Sequence, residues 1–197
     1  MDLEQLHTLP TSDKWIFVRG RIVSEAIDMD AALRGVHAAL RGRDDRDALL
    51  DGSAMWGKVI QECRQMLEAF TPLDDEMRNA IRSAIDAATA AWDERNRYMH
   101  DLLSARIEGD DDPATPVEPR AADDRYRLRL ARQKNAPEVE SVSLDDAITL
   151  VESITAAMWR LRAARHYLAN GSWRSMLLAH VEGDWDGNAG WVTPDED

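Results

Sequence analysis

The sequence predicts an all-α fold, an antiparallel bundle of four to five helices with one small β-hairpin inserted between the third and fourth long helices. Two observations carry this expectation. Four long segments repeat their apolar residues at the 3.6 spacing of a single helix face, and most of the connections between them are short. The exception is residues 107–143, where proline, acidic residues and a period-two alternation replace the helical period. The 197 residues suffice for one domain with a real core, expected over residues 1–182, followed by an acidic, tryptophan-containing tail at 183–197.

The first helix is expected over residues 14–41, with Ile16, Ile22, Val23, Ala26, Ile27, Leu33, Val36 and Leu40 as its apolar stripe and Ser12 or Asp13 as N-cap. The charged run RGRDDRD at 41–47 ends the pattern as a loop. A second helix, residues 53–70, carries Met55, Trp56, Val59, Ile60, Cys63, Leu67 and Phe70, and Thr71-Pro72 stops it. Asp74 and Asp75 open a third helix, where carboxylates suit the positive end of the helix dipole. It is expected over 74–105, with Met77, Ile81, Ala84, Ile85, Ala88, Trp92, Met99 and Leu102 or Leu103 on its buried face.

Within the insertion, GDDDPATPVEP reads as loop, RYRLRLARQ alternates as a half-buried strand does, and PEVESVS could pair with it. Six basic residues against two acidic ones lie between Arg120 and Lys134, the basic cluster that stands out. The fourth helix, 144–169, shows the stripe Leu144, Ala147, Ile148, Val151, Ile154, Met158, Leu161 and Leu168, and Asn170-Gly171 closes it. A short fifth helix is expected at 173–182, and Trp185 and Trp191 dock or decorate the tail.

Composition narrows the function. The single cysteine, Cys63, excludes an internal disulfide framework and any multi-cysteine metal site, and it reads as a core residue. No basic, apolar leader precedes the first helix and no run of about 18 apolar residues occurs, so the expected setting is cytoplasmic, with no membrane contact. The formal net charge of −13 argues against loose, charge-driven nucleic-acid binding but leaves room for a local basic cleft. Of the 24 basic residues 21 are arginine, whose planar fork holds phosphate and carboxylate in two-point contacts. The five histidines show no metal-ligand spacing and no glycine loop cradles a phosphate, so neither metal nor cofactor is expected.

One segment departs from its local rule. In AWDERNRYMHDLL, residues 91–103, Arg95 falls where the stripe of the third helix calls for an apolar residue. A guanidinium there is costly unless something pairs with it or water reaches it, and such departures concentrate at functional sites. Asn96 and His100 are four apart and share nearly one face, with Arg95 beside it. These residue types suit cleavage of RNA by its own 2′-hydroxyl. Histidine takes or delivers the proton near neutrality, arginine holds the phosphate oxygens as charge builds on them, and asparagine orients either.

The segment resembles the HEPN ribonucleases, all-helical proteins marked by Arg, a polar residue, three to five further residues and His. Arg95, Asn96 and His100 match that pattern in its shortest spacing. The resemblance implies a HEPN-like helical domain and metal-independent endoribonuclease activity. It also implies a homodimer whose two motifs meet across a cleft, an RNA substrate, and a role in toxin–antitoxin or antiphage defence with an antitoxin or other regulatory protein as partner. Residue-level likeness covers about a dozen positions. Family members regulated by a nucleotidyltransferase carry a tyrosine two residues after the histidine. Here that position is Leu102, and Tyr98 lies inside the motif instead. Looser spacings recur at Arg160/His166 and Arg174/His180, but Leu161 and Ser175 follow those arginines where Asn96 follows Arg95.

Arg97, Trp92, Arg125, Arg127 and Arg129 are the expected substrate-binding residues, Trp92 as a stacking platform and the strand arginines as guides for the phosphates. Two other function classes fit the same sequence. One is an inactive helical module that binds a protein partner. The other is an acidic inhibitor or nucleic-acid mimic, suggested by the charge of −13.

Overall fold

A computed structural model describes residues 6, 8–43, 55–100, 102–104, 125–129 and 139–182; the side chains of 11, 12, 100, 102–104, 125–129, 139–141 and 179–182 lie outside the described set. The described residues are mostly helical, as expected. The helices are α1 (Thr11–Leu40), α2 (Trp56–Ala69), α3 (Asp75–His100), α4 (Leu144–Asn170) and α5 (Arg174–Glu182), and three short strands, β1 (Leu102–Ser104), β2 (Arg125–Arg129) and β3 (Val139–Ser143), separate α3 from α4. No described helix is long and apolar enough to cross a membrane. The chain forms two compact units, one drawn from Met1–Ile27 and Ala90–Ile154, the other from Asp28–Thr89 and Thr155–Asp197.

In the first unit α1 begins at Thr11, earlier than expected, because the carbonyl of Pro10 accepts the amides of Asp13 and Lys14 at 2.9 and 3.0 Å. Asp13 therefore sits in the first turn, where its charge suits the dipole, and does not cap the helix. The buried face also differs from the expected stripe. Trp15, Val18, Ile22 and Ala26 are sealed, whereas Ile16 and Ile27 are 72% and 63% exposed. Burying Trp15 and Val18 on one face removes more apolar surface from water than burying the two isoleucines, and the helix turns accordingly.

The end of α3 is the second departure. The helix stops at His100, and Leu102–Ser104 is a strand, not a further helical turn. The three strands pair antiparallel in the order β1-β2-β3, with Leu102 opposite Arg129, Ser104 opposite Arg127 and Arg125 opposite Ser143. Pairing with β2 satisfies backbone groups that a longer helix would otherwise have used. The change from β3 to α4 is fixed by a reciprocal cap. Asp146 Oδ2 accepts the Ser143 amide at 2.8 Å and its hydroxyl at 2.7 Å, while Ser143 Oγ accepts the Asp146 amide at 3.1 Å. These bonds, the backbone one first, hold the Asp146 carboxyl below its ordinary range.

In the second unit the apolar faces agree with expectation except at Met55, which stands at the N-cap of α2 and is 81% exposed. Val59, Ile60, Cys63 and Leu67 of α2 are buried, as are Met77, Ile81, Ala84, Ile85 and Ala88 of α3 and Met158 and Leu161 of α4. Burial pushes the Cys63 thiol up to about 12. Arg78 closes the turn between α2 and α3 by donating to the carbonyls of Leu67, Phe70 and Leu73, so the free C-terminal carbonyls of α2 find a partner. Asp74 caps α3 by accepting the Met77 amide at 2.8 Å. Glu62 of α2 meets α1 by accepting from His37 Nε2 at 2.7 Å and Arg41 at 2.8 Å, and the His37 bond chiefly holds its carboxyl below the usual range. Gly35 gives Arg165 of α4 a path over α1, since a Cβ there would stand 2.7 Å from Arg165 Cδ.

Candidate functional site

The segment 91–100 lies within unbroken helix, so the positions of Trp92, Arg95, Asn96 and His100 on α3 follow from helical geometry. Asn96 and His100 are one turn apart on one side of the helix, and Arg95 starts about a quarter turn away. Its guanidinium crosses that gap. Nη1 donates to Asn96 Oδ1 at 3.1 Å, which draws the charge towards the Asn96 side. On the other flank the guanidinium carbon stands 5.0 Å from the centre of the Trp92 ring, a cation–π contact. The backbone of His100 is the last residue of α3, and its side chain lies outside the described residues.

Arg95 is the unusual member. It is partly buried, and burial lowers its affinity for the proton. Its Nε is buried without a hydrogen-bond partner, and no described carboxylate pairs with the guanidinium. The simplest structural role for this arginine was an ion pair with Asp93 or with an acid on another helix, and among the described residues it makes neither. A partly desolvated guanidinium that has one neutral hydrogen-bond partner and one aromatic neighbour retains most of its capacity for an anion.

The neighbours are arranged differently. Arg97 donates to Glu94 at 2.9 Å, so its charge is already shared at the surface of the helix. Trp92 is partly exposed and serves as the platform for Arg95. Tyr98 is buried, and desolvation, with Asp146 and Glu94 adding to it, pushes its hydroxyl far above the ordinary tyrosine range. It is therefore a core residue that anchors this end of α3, a role the apolar stripe drawn from the sequence had left to Trp92 and Met99. Arg125, Arg127 and Arg129 occupy alternate positions of β2, which places them on one face of the sheet; their side chains lie outside the described residues. The register brings Arg129 opposite Leu102, two residues beyond His100. The tail at 183–197 and the acidic loop in the insertion also lie outside the described residues.

The two competing spacings have structural explanations of their own. Arg174 donates to Asp74 at 2.7 Å and to Glu76, and these carboxylates raise its proton affinity, Asp74 first. It is thereby committed to joining α5 to the start of α3. His166 stacks on Trp173 with ring centroids 4.2 Å apart. Among the described residues no group of three or more His, Cys, Asp or Glu side chains is placed to hold a metal ion. Compared with protein-family models, with curated proteins and with solved structures, the chain gives no match.

Proposed function

We propose that the chain is a metal-independent endoribonuclease of the HEPN type, acting as a homodimer of helical bundles in toxin–antitoxin or antiphage defence. The single observation that carries the reading is the state of Arg95. Its guanidinium is half-buried, bonded to the Asn96 amide, set against Trp92 and unopposed by any described carboxylate. In the proposed reaction an imidazole takes the proton of the 2′-hydroxyl while O2′ attacks the adjacent phosphorus. The bond to the 5′-oxygen breaks, and that oxygen leaves with a proton from the imidazolium. The products are a 2′,3′-cyclic phosphate and a 5′-hydroxyl end, with no water, metal or oxidant consumed. His100 supplies the imidazole, Arg95 stabilises the non-bridging oxygens, and Asn96 keeps the guanidinium turned towards the histidine side of α3. Two histidines facing one another across a dimer axis would divide the two proton transfers. The arginines of β2 guide the strand of RNA.

The test is cleavage of a labelled RNA in the presence of EDTA, with the product ends identified and the oligomeric state measured by sedimentation. Wild type cleaves and leaves cyclic phosphate, while Arg95→Ala and His100→Ala each lose about 100-fold or more, the usual effect of removing one transition-state donor or one acid/base group. A folded dimer without cleavage identifies an interaction module instead. A monomer that leaves RNA intact and binds a basic protein identifies an acidic mimic.

A further inference from the structure

In a chain with a formal net charge of −13, residues 153–181 contain no aspartate or glutamate. The same stretch holds Arg160, Arg162, Arg165 and Arg174, together with Trp159, His166, Tyr167 and Trp173. Most of these residues lie on the C-terminal half of α4 and the turn into α5, all in the second compact unit. Helical spacing puts Trp159, Arg162 and His166 on one face, at i, i+3 and i+7. All three are partly exposed, although the face opposite is sealed by Ala157, Met158, Leu161 and Ala164.

Two ring contacts join this row. The Arg162 guanidinium lies over the Trp159 ring, 4.3 Å from its centre. One turn further on, His166 stacks on Trp173 with centroids 4.2 Å apart and ring planes 23° from parallel. Burial, with Arg165 beside it, lowers the proton affinity of His166, so near neutrality the ring is an uncharged stacking surface. Trp173 takes part from an unusual backbone. Its φ is +67°, in the left-handed region that Gly171, two residues earlier, occupies at +74° without steric cost. A tryptophan held in that conformation places a large ring against His166, where a glycine would have made the turn more easily.

We propose that the face formed by Trp159, Arg162, His166 and Trp173 binds single-stranded RNA by base stacking, with Arg162 meeting its phosphates. Every base has a π-face, so a run of flat cationic and aromatic groups accepts successive bases with little regard to sequence. An acidic peptide would find the positive charge here but no use for the rings. Duplex RNA keeps its bases stacked inside and would find phosphate contacts alone. Arg162 has no ion-pair partner among the described residues, whereas Arg174 is occupied by Asp74 and Glu76. The surface stands on residues remote in sequence from Arg95 and His100, and binding there does not require the chain to cleave anything.

The test uses the full chain carrying His100→Ala, so that cleavage does not consume the probe, and follows fluorescence anisotropy of a labelled 12-mer oligouridylate. The expected result is saturable binding that Trp159→Leu and Trp173→Gly each weaken about 10-fold. Arg162→Lys, which keeps the charge and loses the planar stack, weakens it by a factor of about 3 to 10. One phosphate contact predicts a slope of log affinity against log salt of about −0.7. Circular dichroism accompanies each variant, and the surface substitution Arg162→Lys decides the matter if Trp173→Gly alters the helices. Equal affinity for duplex RNA, displacement of the oligomer by polyglutamate as readily as by oligoadenylate, or unchanged binding in Arg162→Lys and Trp159→Leu would each overturn the proposal. Loss of binding by these variants in the His100→Ala chain, with cleavage retained when the same substitutions are made in the wild-type chain, separates this surface from the proposed active site.

Discussion

Replacing Arg95 with methionine is expected to make the protein more stable and inactive at once. The guanidinium of Arg95 is partly desolvated, has no described carboxylate partner and keeps its Nε buried without a hydrogen bond. An unsatisfied buried donor costs about 1–3 kcal/mol. Methionine fills a similar unbranched volume, has a comparable helix propensity and brings no donor to bury. Against that gain stand two losses. The cation–π contact with Trp92 at 5.0 Å is worth about 0.5–1 kcal/mol, of which a sulfur–aromatic contact restores a part. The bond to Asn96 is worth about 0.5–1.5 kcal/mol, and because Asn96 is partly exposed water can replace it. The balance is a gain of about 1 kcal/mol, which for a chain of this length raises Tm by about 2–4 °C. Differential scanning calorimetry of wild type and Arg95→Met, beside the RNA cleavage assay, checks both halves. A fall in Tm of several degrees would refute the reasoning, because Arg95 would then be holding the fold together and its loss would silence the protein for a structural reason.

Two further outcomes follow from the ionisation of buried or capping groups. Cys63 is buried and its thiol is pushed up to about 12, so the folded protein should resist Ellman's reagent at pH 8 and release one equivalent only in guanidinium chloride; rapid labelling of the native chain would contradict the burial. Asp146 has a depressed carboxyl pKa in the folded state, so its contribution is fully present above the ordinary carboxylate value of about 3.9 and is lost as pH falls through the lower folded value. Asp146→Asn should therefore lower stability at pH 7 and flatten the dependence of Tm on pH below about 4, measured by thermal melts from pH 7 to pH 2; a variant with an unchanged acid limb would show that the cap with Ser143 carries no linkage.

How far the sequence led can be judged from particular residues. The helical period located α2, α3 and α4 because apolar residues such as Val59, Cys63 and Leu67, Ile81, Ile85 and Ala88, or Val151, Ile154 and Met158 recur every three to four positions with polar residues among them, and only one face could be buried. It misjudged α1, where Trp15, Ile16, Phe17 and Val18 are consecutive and any of several faces looks apolar; packing chose among them. It carried α3 through Leu102 and Leu103, since two leucines satisfy a helix face as well as a strand, and only a partner strand distant in sequence could decide for the strand. At the candidate site, the exception at Arg95 was visible as a break in the stripe, and the spacing of Asn96 and His100 was visible as a helical turn. The contact of Arg95 with Asn96 was not, because a side chain of four torsions has many ways to leave a helix. The row on α4 was hidden for another reason. Its arginines sit two, three and nine residues apart among ordinary apolar residues, and the signal is the absence of acids over a long stretch, less conspicuous than the denser run at 120–134.

Three arginines of this chain show why charge totals say little about where an anion can bind. Arg174 is gripped by Asp74 and Glu76 and has its charge cancelled at close range. Arg97 shares its charge with Glu94 on the same helix. Arg95 has no described carboxylate and is backed by an amide oxygen and a ring face, neither of which cancels a positive charge. A phosphate approaching the first or second must displace a carboxylate and repay its loss, whereas at Arg95 it meets a guanidinium already stripped of part of its water. With a Debye length of about 8 Å at physiological salt, the surplus of acids elsewhere on the chain is largely screened at that distance. A chain of net charge −13 can therefore hold an RNA phosphate wherever its arginines are kept away from its own acids. Arg95 on α3 and the acid-free stretch of α4 are the two places where the proposed RNA contacts meet that condition.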